Sequence, residues 1–119
     1  MLDTFASYSC QGLLVRKTPD SEEASSFLKK SKLRIAHMHE LHPETVSLYF
    51  EDAYDSLREA AQALLSFRGY KSYSHEAIIS FLIEFYSDSF TEYQLHQFDR
   101  FCILRNNSSY RAASISLQD

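Results

Sequence analysis

The chain predicts an all-α fold: an antiparallel up-and-down four-helix bundle with a short N-terminal extension. Three observations carry that expectation. Only two Gly and two Pro occur in 119 residues, so breaks are few and elements run long. Apolar residues recur at helical spacing in four stretches, while no segment of useful length alternates with the period of a strand. The breaks between those stretches carry capping and stop residues. A hydrophobic share of 45%, with eight Tyr and nine Phe, is enough for one core, and the length is that of a single domain over 1–119.

The elements follow in order. Residues 1–19 form the extension, with Phe5, Tyr8 and Cys10 on a short helix and Leu13, Leu14 and Val15 as an apolar anchor before Pro19. Asp20 with Glu23 makes a capping box, so the first long helix spans about 21–38. Its expected core face is Ala24, Phe27, Leu28, Ile35 and Met38, and Lys29, Lys30, Lys32 and Arg34 are expected on its outer surface. Pro43 suits the first turn of the second long helix, with Glu44 near its positive end. That helix runs to Arg68 along a seam of Phe50, Ala53, Leu57, Ala61 and Leu64, and Gly69 stops it. Tyr70–Tyr73 reads as a short connector. Ser74 is the N-cap of the third helix, whose stripe is Ile78, Phe81, Leu82 and Phe85. Thr91 with Gln94 is a second capping box. The fourth helix runs from there to at least Leu104 and as far as Ala112, with about 113–119 as a frayed tail.

Composition narrows the function. A net charge of −4 argues against a surface coated in nucleic acid but leaves room for a local basic site. Cys10 and Cys102 are too few for a disulfide framework and form no metal-type pair, so both read as reduced thiols in a cytoplasmic protein. No signal peptide is evident at Met1–Phe5. The most apolar stretch, Ala77–Tyr86, is too short to cross a bilayer, so no membrane partner is expected. Neither a metal nor a cofactor is expected, because phosphate-loop, HExxH and Ser-His-Asp signatures are absent from the sequence.

The most informative stretch is Leu104 to Arg111. Leu95, Phe98 and Cys102 share one helical face, and the next positions on that face are Arg105 and Ser109. Burying a guanidinium without a partner is costly, so the helix either leaves the core here or lines a polar groove. The fourth helix also has a wide apolar face, since Phe101 and Leu104 broaden it. A homodimer with this helix close to the interface is the expectation.

Three segments in order resemble the HEPN domains of archaea and bacteria. They are the Ala- and Leu-rich stretch Glu51–Leu65, the helix entry Gly69-Tyr70-Lys71-Ser72-Tyr73-Ser74-His75-Glu76-Ala77-Ile78, and Phe98–Tyr110 around Arg105-Asn106. The resemblance spans roughly residues 13–112. It implies a helical bundle that dimerises, often one half of a toxin–antitoxin pair with a small nucleotidyltransferase. Some members are metal-independent ribonucleases whose signature Arg and His face a groove at the dimer interface. Arg105 matches the family Arg and Asn106 its polar follower. The His does not match: Tyr110 stands at the four-residue gap, and Arg111 and Ala112 at the longer ones.

That departure bears on the chemistry. A guanidinium binds phosphate bidentately, which suits Arg105. Histidine, with a pKa of about 6.5, suits a general base, and tyrosine, at about 10, does not. Tyr110 therefore reads as a binding or structural residue. Arg105, Asn106 and Tyr110 are the catalytic candidates, and Arg105, Asn106, Asn107, Ser109, Tyr110, Lys71 and His75 the candidates for nucleotide or RNA contact. Lys71 lies between Tyr70 and Tyr73 as a basic–aromatic contact. His75 is expected to make a structural hydrogen bond, with a site role if its helix flanks the groove. His37, His39 and His42 with Glu40 fall at a break and read as solvated loop residues rather than metal ligands. Two readings remain open beside nucleotide or RNA binding: an active ribonuclease using Arg105, and a purely structural partner.

Overall fold

A computed structural model describes residues 3–110 of the chain, and the side chains of residues 3–106. The elements are α1 (Phe5–Cys10), β1 (Leu14–Arg16), α2 (Ser21–Ala36), α3 (Val46–Arg68), β2 (Tyr70–Ser72), α4 (His75–Tyr86) and α5 (Glu92–Tyr110). The fold is mostly helical, as expected, but two stretches depart from the expectation. The Leu13–Val15 anchor and the Tyr70–Tyr73 connector pair as antiparallel strands, Leu14 opposite Ser72 and Arg16 opposite Tyr70. Gly69 permits the pairing. It closes α3 at φ 85° and its carbonyl then accepts from Lys17 N–H at 2.8 Å. Three residues per strand are too few for an alternating pattern to stand out.

The capping residues act as their chemistry dictates. Asp20 accepts from the Glu23 amide at 2.9 Å and Ser74 from the Ala77 amide at 3.0 Å. Thr91 and Gln94 cap reciprocally at 3.0 and 3.1 Å. The start of α3 differs: it begins at Val46 rather than at Pro43. The Thr45 hydroxyl donates to the Glu40 carbonyl at 2.6 Å and accepts from the His42 amide at 3.2 Å. That closes a separate turn before the helix opens.

Helix α4 is central. Ala77 to Leu82 are buried without a break, so the helix is covered all round over that stretch. Against it pack α1, through Phe5 edge-on to Phe85 at 5.4 Å, and α5, through Leu95, Phe98 and Cys102. On α3, Tyr54, Ala61 and Leu65 complete this core.

Helix α2 lies along α3 on a seam that is small and polar rather than oily. Ala24 and Ser31 are buried against α3, which buries Ser56, Glu59, Ala63 and Ser66. The Ser31 hydroxyl donates to the Ser56 carbonyl at 2.9 Å and Ser56 returns the bond to Ser31 at 3.2 Å. The expected core face of this helix is therefore corrected. Leu28 (44% exposed) and Ile35 (58%) face out, because the helix turns its small positions to a partner whose own seam is small. Leu57 of α3, at 43% exposure, also stands outside the core. Arg34 leaves the expected outer surface to serve Glu59, while Lys30 stays exposed as expected. Arg34 Nε and Nη2 donate to the two Glu59 oxygens at 2.6 and 3.3 Å, and Lys30 Nζ lies 3.5 Å away.

Candidate anion-binding site at the α3–α4–α5 junction

The apolar stripe of α5 does not end in solvent. It continues through Arg105, whose side chain is 25% exposed and folds back onto α3. The guanidinium carbon lies 5.6 Å from the centre of the Tyr54 ring, a cation–π distance. Arg105 Nη2 lies 3.7 Å from Asp55 Oδ1. The polar switch in the sequence therefore marks an inward-facing arginine with partners on α3.

Tyr54 organises the junction. It is almost fully buried, its ring meets Phe98 edge-on at 5.9 Å, and its hydroxyl is 2.7 Å from His75 Nδ1. Burial pushes the Tyr54 pKa well up, with the neighbouring Cys102 thiol adding to the effect, so the phenol keeps its proton. Burial raises the Cys102 thiol too, and Asn106 Nδ2 lies 3.9 Å from its sulfur. His75 sits in the first turn of α4. Burial first, then the charges of Arg105 and Arg58, lower its pKa, with Asp55 opposing. Its imidazole is therefore neutral near pH 7.

Asp55 is the anionic centre. Arg34 Nη1 approaches Oδ2 at 4.0 Å, and Arg58 Nε and Arg105 Nη2 approach Oδ1 at 3.8 and 3.7 Å. None of these is a hydrogen bond, and Oδ1, though buried, has no hydrogen-bond partner. Three guanidiniums from α2, α3 and α5 thus converge on one carboxylate they do not saturate.

Of the residues expected from sequence, Arg105 and His75 meet around Tyr54, and Asn106 lies one turn along α5 from Cys102. Lys71 is not brought there. It is exposed on β2, with its ammonium 5.1 Å from the Tyr73 ring centre. The side chains of Asn107, Ser109 and Tyr110 lie outside the described residues. Sequence reasoning missed Tyr54, Asp55 and Arg58. Their signal was a polar run at the end of the aromatic seam of α3, indistinguishable there from a solvated face. The loop histidines pair locally, His39 with Asp52 at 2.7 Å and His42 with Glu40 at 2.9 Å. Burial acts upward on Asp52, but its bonds with His39 outweigh it and lower the carboxyl.

A second feature lies along α3 and α5. An apolar cavity of about 600 Å³ is lined by Leu57, Ala61, Leu64, Tyr93 and Phe101, with Gln94 and Arg100 among its polar residues. No described helix is long and apolar enough to cross a membrane. Compared with family models, curated proteins and solved structures, the chain matches none.

Proposed function

We propose that this chain is a HEPN-like module that binds RNA or nucleotide through the Arg105, Arg58 and His75 cluster. On this reading its four long helices form the antiparallel up-and-down bundle of that family, in a cytoplasmic protein. One observation carries the reading: Arg105 is turned inward beside a second arginine and a neutral histidine, with no saturating partner. Two guanidinium forks with spare donors suit a phosphate, whose oxygens accept bidentate bonds. The same reading includes a homodimer through α5. The apolar cavity between α3 and α5, with Leu57 and Tyr93 exposed at its rim, supports it, as does the width of the apolar face of α5. It also includes a small nucleotidyltransferase as the second protein of a toxin–antitoxin pair, which rests on the family resemblance alone.

The lowered pKa of His75 favours a second reading, a metal-independent ribonuclease. The signature His that the sequence lacks after Arg105 is then supplied by α4. In the tautomer with Nδ1–H donating to Tyr54, Nε2 is free to take the proton of a ribose 2′-hydroxyl. The 2′-oxygen attacks phosphorus, the bond to the 5′-oxygen breaks, and that oxygen takes a proton from solvent. Arg105 and Arg58 stabilise the charge on the phosphoryl oxygens.

Labelled single-stranded RNA separates the readings. Retention without cleavage, lost in Arg105→Ala, supports the binding module. Cleavage lost in both Arg105→Ala and His75→Ala supports the ribonuclease. Wild-type protein that neither retains nor cleaves RNA refutes both and leaves a structural partner.

A further inference from the structure

We propose that Asp55 is a built-in competitor of the bound phosphate, an internal anion that occupies the arginine cluster and weakens the site until ligand displaces it. The proposal rests on the reading of that cluster as a phosphate site and adds its regulation.

Three features of Asp55 point this way. It gathers guanidiniums from three helices, Arg34, Arg58 and Arg105, all between 3.7 and 4.0 Å. It bonds to none of them, so it supplies charge without fixing their geometry. Its Oδ1 is buried and without a hydrogen-bond partner, which is a cost to the folded state. A carboxylate placed to hold a structural pair looks different in this same protein: Glu59 takes two hydrogen bonds from Arg34, the shorter 2.6 Å. Arg34 is thereby committed to Glu59, whereas Arg58 and Arg105 have Asp55 as their sole carboxylate within 4 Å among the described residues. A phosphate arriving at those two forks gains the hydrogen bonds that Asp55 leaves unmade, and meets one negative charge at close range.

The sign of the effect of neutralising Asp55 tests the idea. Wild-type protein, Asp55→Asn and Asp55→Ser are titrated with a short fluorescein-labelled oligouridylate at fixed low salt, with Arg105→Ala as the site control. Thermal melts accompany each variant. Removing one like charge a few ångströms from phosphate, across a partly buried site, tightens binding roughly tenfold. Either neutral variant showing that gain, with the gain abolished in Arg105→Ala/Asp55→Asn, supports the competitor. Folded neutral variants that bind as wild type does, or more weakly, overturn it: Asp55 then orients the arginines, and the phosphate site itself stands. Binding by wild type and variants alike that Arg105→Ala does not change removes the phosphate site and the competitor together, as does no binding by any of the proteins.

Discussion

Replacing Arg34 with alanine should be among the most damaging single changes in this fold, and the size follows from Glu59. That carboxylate is 1% exposed, and burial alone would push its pKa up. The bidentate bonds and charge of Arg34, with the charge of Lys30, outweigh burial and hold it below the usual carboxylate range. Arg34→Ala leaves Glu59 charged and buried, with only the loosely held Lys30 at 3.5 Å. Breaking a buried pair by removing one partner costs about 3–5 kcal/mol. Lys30, itself largely exposed, moves the expected loss to the lower end, about 3 kcal/mol. With an unfolding entropy of roughly 2.1 cal/mol/K per residue, that lowers Tm by about 12 °C. Urea melts of wild type and Arg34→Ala at neutral pH read the difference directly. The sign of the pH dependence is a second check. A lowered folded pKa gives stability that is full above the ordinary carboxylate range and is lost as pH falls. The gap between wild type and variant should therefore narrow on acidification, once Glu59 protonates in the variant. The double change Arg34→Met with Glu59→Met should recover much of the loss, because a packed apolar pair avoids the desolvation cost. An Arg34→Ala protein within about 0.5 kcal/mol of wild type would show that Glu59 is not stabilised by that pair.

Two further outcomes follow from the same geometry. His75 is held neutral, so the unfolded chain takes up its proton before the folded one. Stability should be full above an ordinary histidine pKa of about 6.5 and fall as pH drops below it. Urea midpoints between neutral and mildly acidic pH should show that slope in wild type and a shallower one in His75→Asn. Gly69→Ala should cost about 2–3 kcal/mol, the range for a Cβ forced into strained backbone. The residue has φ 85°, and a Cβ there would lie 2.6 Å from the Lys17 carbonyl oxygen. A thermal melt matching wild type would contradict that account of the β1–β2 junction.

Much of the helical framework was legible because it is local. Asp20, Ser74, Thr91 and Gln94 cap the helices they were expected to cap, and Gly69 stops α3 through a conformation that only a residue without Cβ adopts easily. The face of α2 was not legible. Leu28 and Ile35 drew the core to themselves on paper, while the α2–α3 contact is set by close approach at Ser31 and Ser56, which carry no hydropathy signal. The short strands were missed for a related reason: Leu14–Arg16 and Tyr70–Ser72 pair only because the chain returns after α3. At the candidate site, Arg105 and His75 could be named from sequence, one by a break in periodicity and the other by its place at a helix entry. Asp55 and Arg58 could not, since a polar run on a long helix says nothing of what faces it. Placing Arg34 on the outer surface failed for the same reason.

The central claim is that phosphate enters the Arg105, Arg58 and His75 cluster. NMR titration of selectively labelled arginine, lysine and histidine side chains with a short oligouridylate tests it most directly. The account predicts that the Arg105 and Arg58 guanidinium and His75 imidazole resonances move together and saturably. It also predicts that Lys71 and the loop histidines His39 and His42 stay still. Saturable shifts confined to the basic face of α2 or to β2, with the cluster unmoved, would contradict it.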